Sequence, residues 1–200
     1  VGGGRAAEDL DETSRKNLAA TSSGTSIFDP VLCELAYRWF SPPGGTVLDP
    51  FAGGSVRGIV AAALGRHYVG CDLRPEQIEA NEQQWRDVGP RLNVGSPAPR
   101  WICGDSQNIA TLAADVAADF VFSCPPYADL EVYSDDPRDL STMPYKDFVA
   151  AYRRIIAAAV GRLKKDRFAC FVVGEARDAK GYYLNFVSDT IAACEAAGAR

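Results

Sequence analysis

The sequence predicts a doubly wound α/β fold on a mainly parallel sheet. Short apolar strands alternate with segments of helical periodicity from end to end, and no internal repeat interrupts the alternation. Strands this short, joined through helices, imply a sheet covered on both faces.

Order is expected to begin at Ser26-Ile27-Phe28-Asp29-Pro30. Asp29 suits an N-cap and Pro30 the first helical position, so a helix runs to about Phe40, with Val31, Leu32, Leu35, Ala36 and Trp39 as its apolar stripe. Ser41-Pro42-Pro43-Gly44-Gly45 stops it. Thr46–Asp49 is the first strand, and Ser55–Leu64 a helix closed by Gly65. His67–Asp72 is the second strand, and Pro75 opens a helix to about Arg86. A loop from Gly89 to Pro99 precedes strand three, Arg100–Cys103, and Phe120–Ser123 is strand four. Phe148, Tyr152, Ile155, Ile156, Ala159 and Leu163 stand at helical spacing in a helix over Tyr145–Leu163. Arg167–Val173 is strand five, and the last helix covers Tyr183–Ala197. Residues 1–25 read as a flexible arm and 26–200 as one core, whose fifth strand is expected to be followed by further strands lying outside the chain.

Two hundred residues, 47% hydrophobic and 24% charged, suit one soluble domain. There is no bilayer-length apolar run and no secretory pattern, so a cytoplasmic location with no membrane partner is expected. Six cysteines scattered singly, with one histidine, argue against a zinc site or a disulfide scaffold; most read as buried thiols. The net charge of −5 weighs against nucleic-acid binding, unless basic residues cluster or a binding segment lies elsewhere. Arg153, Arg154, Arg162, Lys164, Lys165 and Arg167 form the densest basic group, in which Lys164 and Lys165 complement a helix C-terminus.

Ligands of such sheets sit beyond the carboxyl ends of the strands, where four segments fall. In Asp49-Pro50-Phe51-Ala52-Gly53-Gly54-Ser55 the glycines permit close backbone approach before a helix N-terminus. The turn is neither GxGxxG nor a P-loop, and acidic Asp49 suits a cofactor with a sulfonium and an amino group better than a pyrophosphate. Asp72, followed by Leu73, is placed to accept ribose hydroxyls, or to cap the next helix. Asp105, followed by Ser106, is placed to accept from an adenine amino group, or again to cap. In Ser123-Cys124-Pro125-Pro126-Tyr127 the prolines remove two N–H groups and leave carbonyl acceptors, while Tyr127 offers a stacking ring for a flipped base.

These two turns together resemble the amino-group DNA methyltransferases, which make N6-methyladenine or N4-methylcytosine. The runs from Ser26 to Ser55 and from Cys124 to Ser134 are similar to phage-type modification methylases within that family, and the likeness extends over about Ser26–Arg200. The resemblance implies a sheet of the class I S-adenosylmethionine-dependent methyltransferase type. Phe28 and Asp29 would lie at the methionine end of the cofactor; Asp49, Phe51, Ala52, Gly53, Gly54 and Ser55 around it; Asp72 and Leu73 at its ribose; Asp105 and Ser106 at its adenine. Cys124, Pro125, Pro126 and Tyr127 would hold the target base. The partner implied is double-stranded DNA, with no metal required for direct in-line transfer and with a homodimer admitted.

One departure is Cys124, where the family usually has Asp, Asn or Ser; either Ser123 or the backbone then takes over the contact to the target amino group, or activity is weak or lost. Cys124 as the nucleophile of cytosine-C5 methylation is disfavoured, because that thiol follows a proline. The acidic stretch 131–145 fits a mobile lid or a face turned from DNA, and residues 174–178 have no assignable role. Rival readings are methylation of RNA or of a protein glutamine amide, a non-catalytic binding module, and a nicotinamide dehydrogenase.

Overall fold

The computed structural model describes residues 27–92, 95, 97–127, 132–178 and 180–199; the expected N-terminal arm lies outside them. Five strands form one parallel sheet in the order β3-β2-β1-β4-β5: β1 (Thr46–Asp49), β2 (His67–Asp72), β3 (Arg100–Cys103), β4 (Ala118–Ser123) and β5 (Leu163–Phe171). The helices are α1 (Pro30–Phe40), α2 (Val56–Ala63), α3 (Pro75–Val88), the single turn α4 (Ile109–Leu112), α5 (Tyr145–Val160) and α6 (Phe186–Ala196).

Successive strand residues point to opposite faces, and both faces are apolar. Val47, Tyr68, Phe120 and Phe122 pack with Cys33, Tyr37 and Ala61 from α1 and α2. Leu48, Val69, Cys71 and Val121 pack with Ile109 and Ala159 on the other side. Phe148, Tyr152, Ile155, Ile156 and Phe186 extend that second layer between α5 and α6. Strand order reverses between β1 and β4, so the crevice for a ligand opens beyond Asp49 and Ser123.

Two expectations are corrected. On α1 the buried face is Cys33, Ala36 and Tyr37, while Val31 and Trp39 are 62% and 70% exposed. The helix is apolar on both sides; Tyr37 wins the core because its hydroxyl finds a buried acceptor, the Arg57 carbonyl at 2.9 Å. The other concerns the end of α5, which stops at Val160, so Leu163 and Lys164 belong to β5. Between Ala118↔Leu163 and Phe120↔Phe168 the register shifts through a bulge in which Asp166 is left-handed, with φ 57°. Asp119 pins this bulge, accepting from Lys164 at 2.8 Å and pairing with Arg167 at 3.3 Å.

Most of the basic group is engaged in intramolecular contacts at the surface. Arg153 pairs with Asp189, Arg154 donates to Gln107, and Arg162 donates to the Ala110 and Ala114 carbonyls. No helix among the described residues is long and apolar enough to cross a membrane.

Candidate active site

Asp49 ends β1 fully buried and binds four donors. Its Oδ1 accepts from Ser123 Oγ (2.5 Å) and the Phe51 amide (3.1 Å); its Oδ2 accepts from Arg57 Nε (2.6 Å) and the Tyr68 hydroxyl (2.7 Å). Arg57 reaches on to the Phe51 and Ala52 carbonyls at 2.6 and 2.9 Å and lies 4.7 Å from the centre of the Phe28 ring. Burial opposes the Arg57 charge, but Asp49 outweighs it and the guanidinium is held more firmly cationic than usual. Asp49 thereby clamps the glycine turn and the turn after β4 onto one point. Ser123 is likewise fully buried, donating to Asp49 and accepting from the Phe51 amide.

The glycine turn is braced from below and open above. Gly53 has φ +48°, and a Cβ at Gly53 or Gly54 would meet nothing within 4 Å. Asn81 donates to the Gly53 carbonyl at 2.7 Å and accepts from Gln77, which accepts from Arg74. Ala52 is buried, and its amide bonds the Cys71 carbonyl at 2.9 Å; Gly70 permits this approach, since a Cβ there would stand 2.8 Å from that of Ala52. Ser55 is buried and donates to Gln84, and Ser106 donates to the Pro50 carbonyl at 2.5 Å. Both hydroxyls brace the turn from within.

Asp72 joins this turn to the start of α3, accepting from the Gly53 amide at 3.0 Å and the Arg74 amide at 2.9 Å, one per oxygen. Each oxygen keeps a further lone pair for a hydroxyl donor. Burial raises this carboxyl above its ordinary value of 3.8, and the Arg74 amide and guanidinium offset only part of that. Leu73 is half-buried beside it. Asp105 is half-buried and caps the short turn at Ser106–Asn108 through the Gln107 amide at 2.8 Å. Asp29 caps α1 through the Val31 amide at 2.7 Å, and half-buried Phe28 meets Phe122 edge-on at 5.7 Å, next to the β4 end of the crevice. Phe51 packs on Tyr152, with ring centres 5.9 Å apart.

Cys124, Pro125, Pro126 and Tyr127 leave β4 directly above Asp49. Burial raises the Cys124 thiol, with Arg57 and Asp49 both in electrostatic range, so it stays neutral rather than becoming a nucleophile. Tyr127 packs edge-on to Phe186 at 5.8 Å, and its ring faces the Gly174 backbone, where a Cβ would lie 3.6 Å from Cε1. Residues 128–131 lie outside the described residues, and with them the part of the acidic stretch next to the turn. Its remainder is tied down: Asp139 is buried and bonds Ser134 and Ser141, while Arg74 donates to the Tyr133 carbonyl.

Arg57 and Tyr68 are the site residues that sequence reasoning missed. The available signal was an arginine inside the apolar run of α2, opposite a strand ending in Asp.

Sheet order, glycine turn and Asp72 together define the class I S-adenosylmethionine-dependent methyltransferase fold. Three comparisons with solved structures carry the same architecture. A Clostridium thermocellum protein assigned as an rRNA methylase matches with TM-score 0.59 at 15% identity, over 86% of this chain and 84% of that one. A TehB-like SAM-dependent methyltransferase of Corynebacterium glutamicum gives 0.52 at 18%, over 92% and 79%. A precorrin-6y C5,15-methyltransferase of Geobacter metallireducens gives 0.54 at 14%, over 84% and 70%.

In sequence, a family model described as DNA methylase, covering N6 and N4 enzymes, matches residues 28–83. The type II methyltransferase M.HinfI of Haemophilus influenzae is 42% identical over 53 residues, which are 26% of this chain and 15% of that enzyme. Over these residues the chain is similar to the amino-methyltransferase family, and it spans only a small part of the length of the curated relative it matches. The partial family match and the shared fold indicate S-adenosylmethionine as the cofactor.

Proposed function

We propose that the chain methylates an exocyclic amino group in double-stranded DNA, adenine N6 or cytosine N4, with S-adenosylmethionine as donor. The observation that carries this reading is the Asp49 clamp, which binds the Phe51 amide of the glycine turn and the Ser123 hydroxyl of the acceptor turn on one oxygen.

The residues present fit the cofactor. Open space above Gly53 and Gly54 admits a ligand against bare backbone, and Asp72 offers two acceptor lone pairs to ribose hydroxyls. Asp105 keeps acceptor capacity for the adenine, and Phe28 supplies an apolar wall at the other end. When bound, the cofactor supplies an electrophilic methyl group on a sulfonium.

The acceptor turn does the rest. An exocyclic amine is a poor nucleophile because its lone pair is delocalised into the ring. Carbonyl oxygens of a turn that lacks two N–H groups accept its protons and favour the pyramidal form, and they stabilise the positive charge that develops. Tyr127 holds the extruded base by stacking. Cys124, a neutral thiol, adds little as an acceptor, so the contact falls to the backbone. Holding nitrogen and methyl in line supplies much of the remaining acceleration. The reading places the protein in the cytoplasm, with its DNA.

The test is incubation with methyl-labelled cofactor and, separately, DNA, RNA and protein, followed by mass spectrometry of nucleosides and peptides. Label in N6-methyldeoxyadenosine or N4-methyldeoxycytidine is the expected result. Label in RNA or glutamine alone would move the acceptor, and none in any would refute the reading.

A further inference from the structure

The segment after β5 forms a hairpin standing on the acceptor turn. Arg177 and Tyr183 pair as an antiparallel bridge, flanked by bonds from the Asp178 amide to the Tyr182 carbonyl and from the Leu184 amide to the Ala176 carbonyl, both 2.9 Å. At its base, Gly174 lies against the Tyr127 ring, and Phe186, where the chain re-enters α6, meets that ring edge-on. The hairpin therefore borders Tyr127.

Its chemistry is unusual for a connection. Tyr182 and Tyr183 are 70% and 57% exposed. The Arg177 guanidinium lies 3.8 Å from the centre of the Tyr183 ring and donates to the Gly181 carbonyl, which holds the ring in place. Both acids accept from backbone amides, each through one oxygen: Asp178 from Lys180 and Tyr182, Glu175 from Phe186. The cationic donors on the hairpin are Lys180 and the remaining Arg177 N–H groups, which stand beside these two carboxylates.

Resting on the proposed base acceptor, we infer that this hairpin is a nucleic-acid contact arm. Tyr182 and Tyr183 offer stacking faces to nucleotides flanking the target, and Lys180 and Arg177 meet their phosphates. A glutamine amide carries no neighbouring rings or phosphates to use such an arm, whereas a polynucleotide carries them on both sides.

The experiment compares Tyr182→Ala, Tyr182→Phe, Lys180→Gln and a Tyr182→Ala/Tyr183→Ala double variant of the whole chain. Readouts are anisotropy with a fluorescein-labelled mixed-sequence duplex, methyl transfer to unmethylated genomic DNA and to RNA, cofactor affinity, and melting temperature. Tyr182→Ala should raise the duplex Kd and the nucleic-acid KM about tenfold, the loss of one stacked ring, with cofactor affinity and melting unchanged and Tyr182→Phe like wild type. Wild-type KM in the double variant, alongside active methylation of nucleic acid, overturns the arm and leaves the base acceptor standing. A wild-type chain that methylates protein alone overturns both. Methylation of RNA alone, with its KM raised in the variants, supports the arm and moves only the proposed acceptor.

Discussion

Replacing Ser123 with Ala separates two roles that one hydroxyl could hold beside the acceptor turn. As a tether, Ser123 donates to the buried Asp49 carboxylate at 2.5 Å and accepts from the Phe51 amide at 3.1 Å. Alanine removes both bonds and leaves only a small void. The Phe51 amide keeps Asp49 Oδ1 at 3.1 Å, so its desolvation is still covered. The loss to count is the bond to a charged acceptor, about 1.5–3 kcal/mol. Asp49 retains Arg57 and Tyr68, so the cost stays below the several kcal/mol of a buried charge left unpaired. For a chain of this size that lowers the melting temperature by roughly 3–12 °C. Urea unfolding of the ligand-free protein measures the free energy, and methyl-transfer kinetics run beside it. The expected pattern is a stability loss of that size with a lower kcat and little change in cofactor affinity. Stability within about 0.5 kcal/mol of wild type, with methyl transfer abolished, would refute the tether and return Ser123 to direct contact with the substrate.

Gly54→Leu should melt like wild type, because a Cβ there meets nothing within 4 Å, yet block cofactor binding by filling the cradle; scanning calorimetry reads the first and calorimetric titration the second. Cofactor affinity should fall as pH drops through the raised Asp72 value, since protonation removes the acceptor of the ribose hydroxyls, and Asp72→Asn should flatten the profile. The stability linkage of Asp72 has the opposite sign. An acid that holds its proton more tightly when folded stabilises the fold at low pH, and that contribution is lost as pH rises through the raised value, as pH-dependent unfolding would register. Cys124→Asn should raise turnover by adding a carbonyl acceptor above Asp49, measured as label incorporated into DNA; unchanged turnover would show that the backbone carbonyls suffice.

The two turns beyond β1 and β4 were legible because their residues have few substitutes. Gly53 occupies a positive φ that a side chain strains, and Pro125-Pro126 removes N–H groups that no other residue lacks. Strand positions were legible from apolar runs ending in polar residues at the crevice. The partners of Asp49 were not. An arginine in a helix reads as solvent-facing until tertiary structure places a carboxylate under it, and Arg57 with Asp49 is such a pair. Nor could periodicity choose the buried side of α1, apolar on both faces; a hydroxyl acceptor from α2 decided it. The start of β5 was hidden by its bulge, in which Leu163 continues the spacing of α5 while already pairing with Ala118.

Fastening both turns to one carboxylate bears on how the pocket fluctuates. Displacements of Asp49 carry the Phe51 amide and the Ser123 hydroxyl along together, so they enter as a shared translation. On the proposed reading, the separation between methyl donor and amino acceptor is then buffered against motions of the sheet beneath it, which two independent anchors would convert into misalignment.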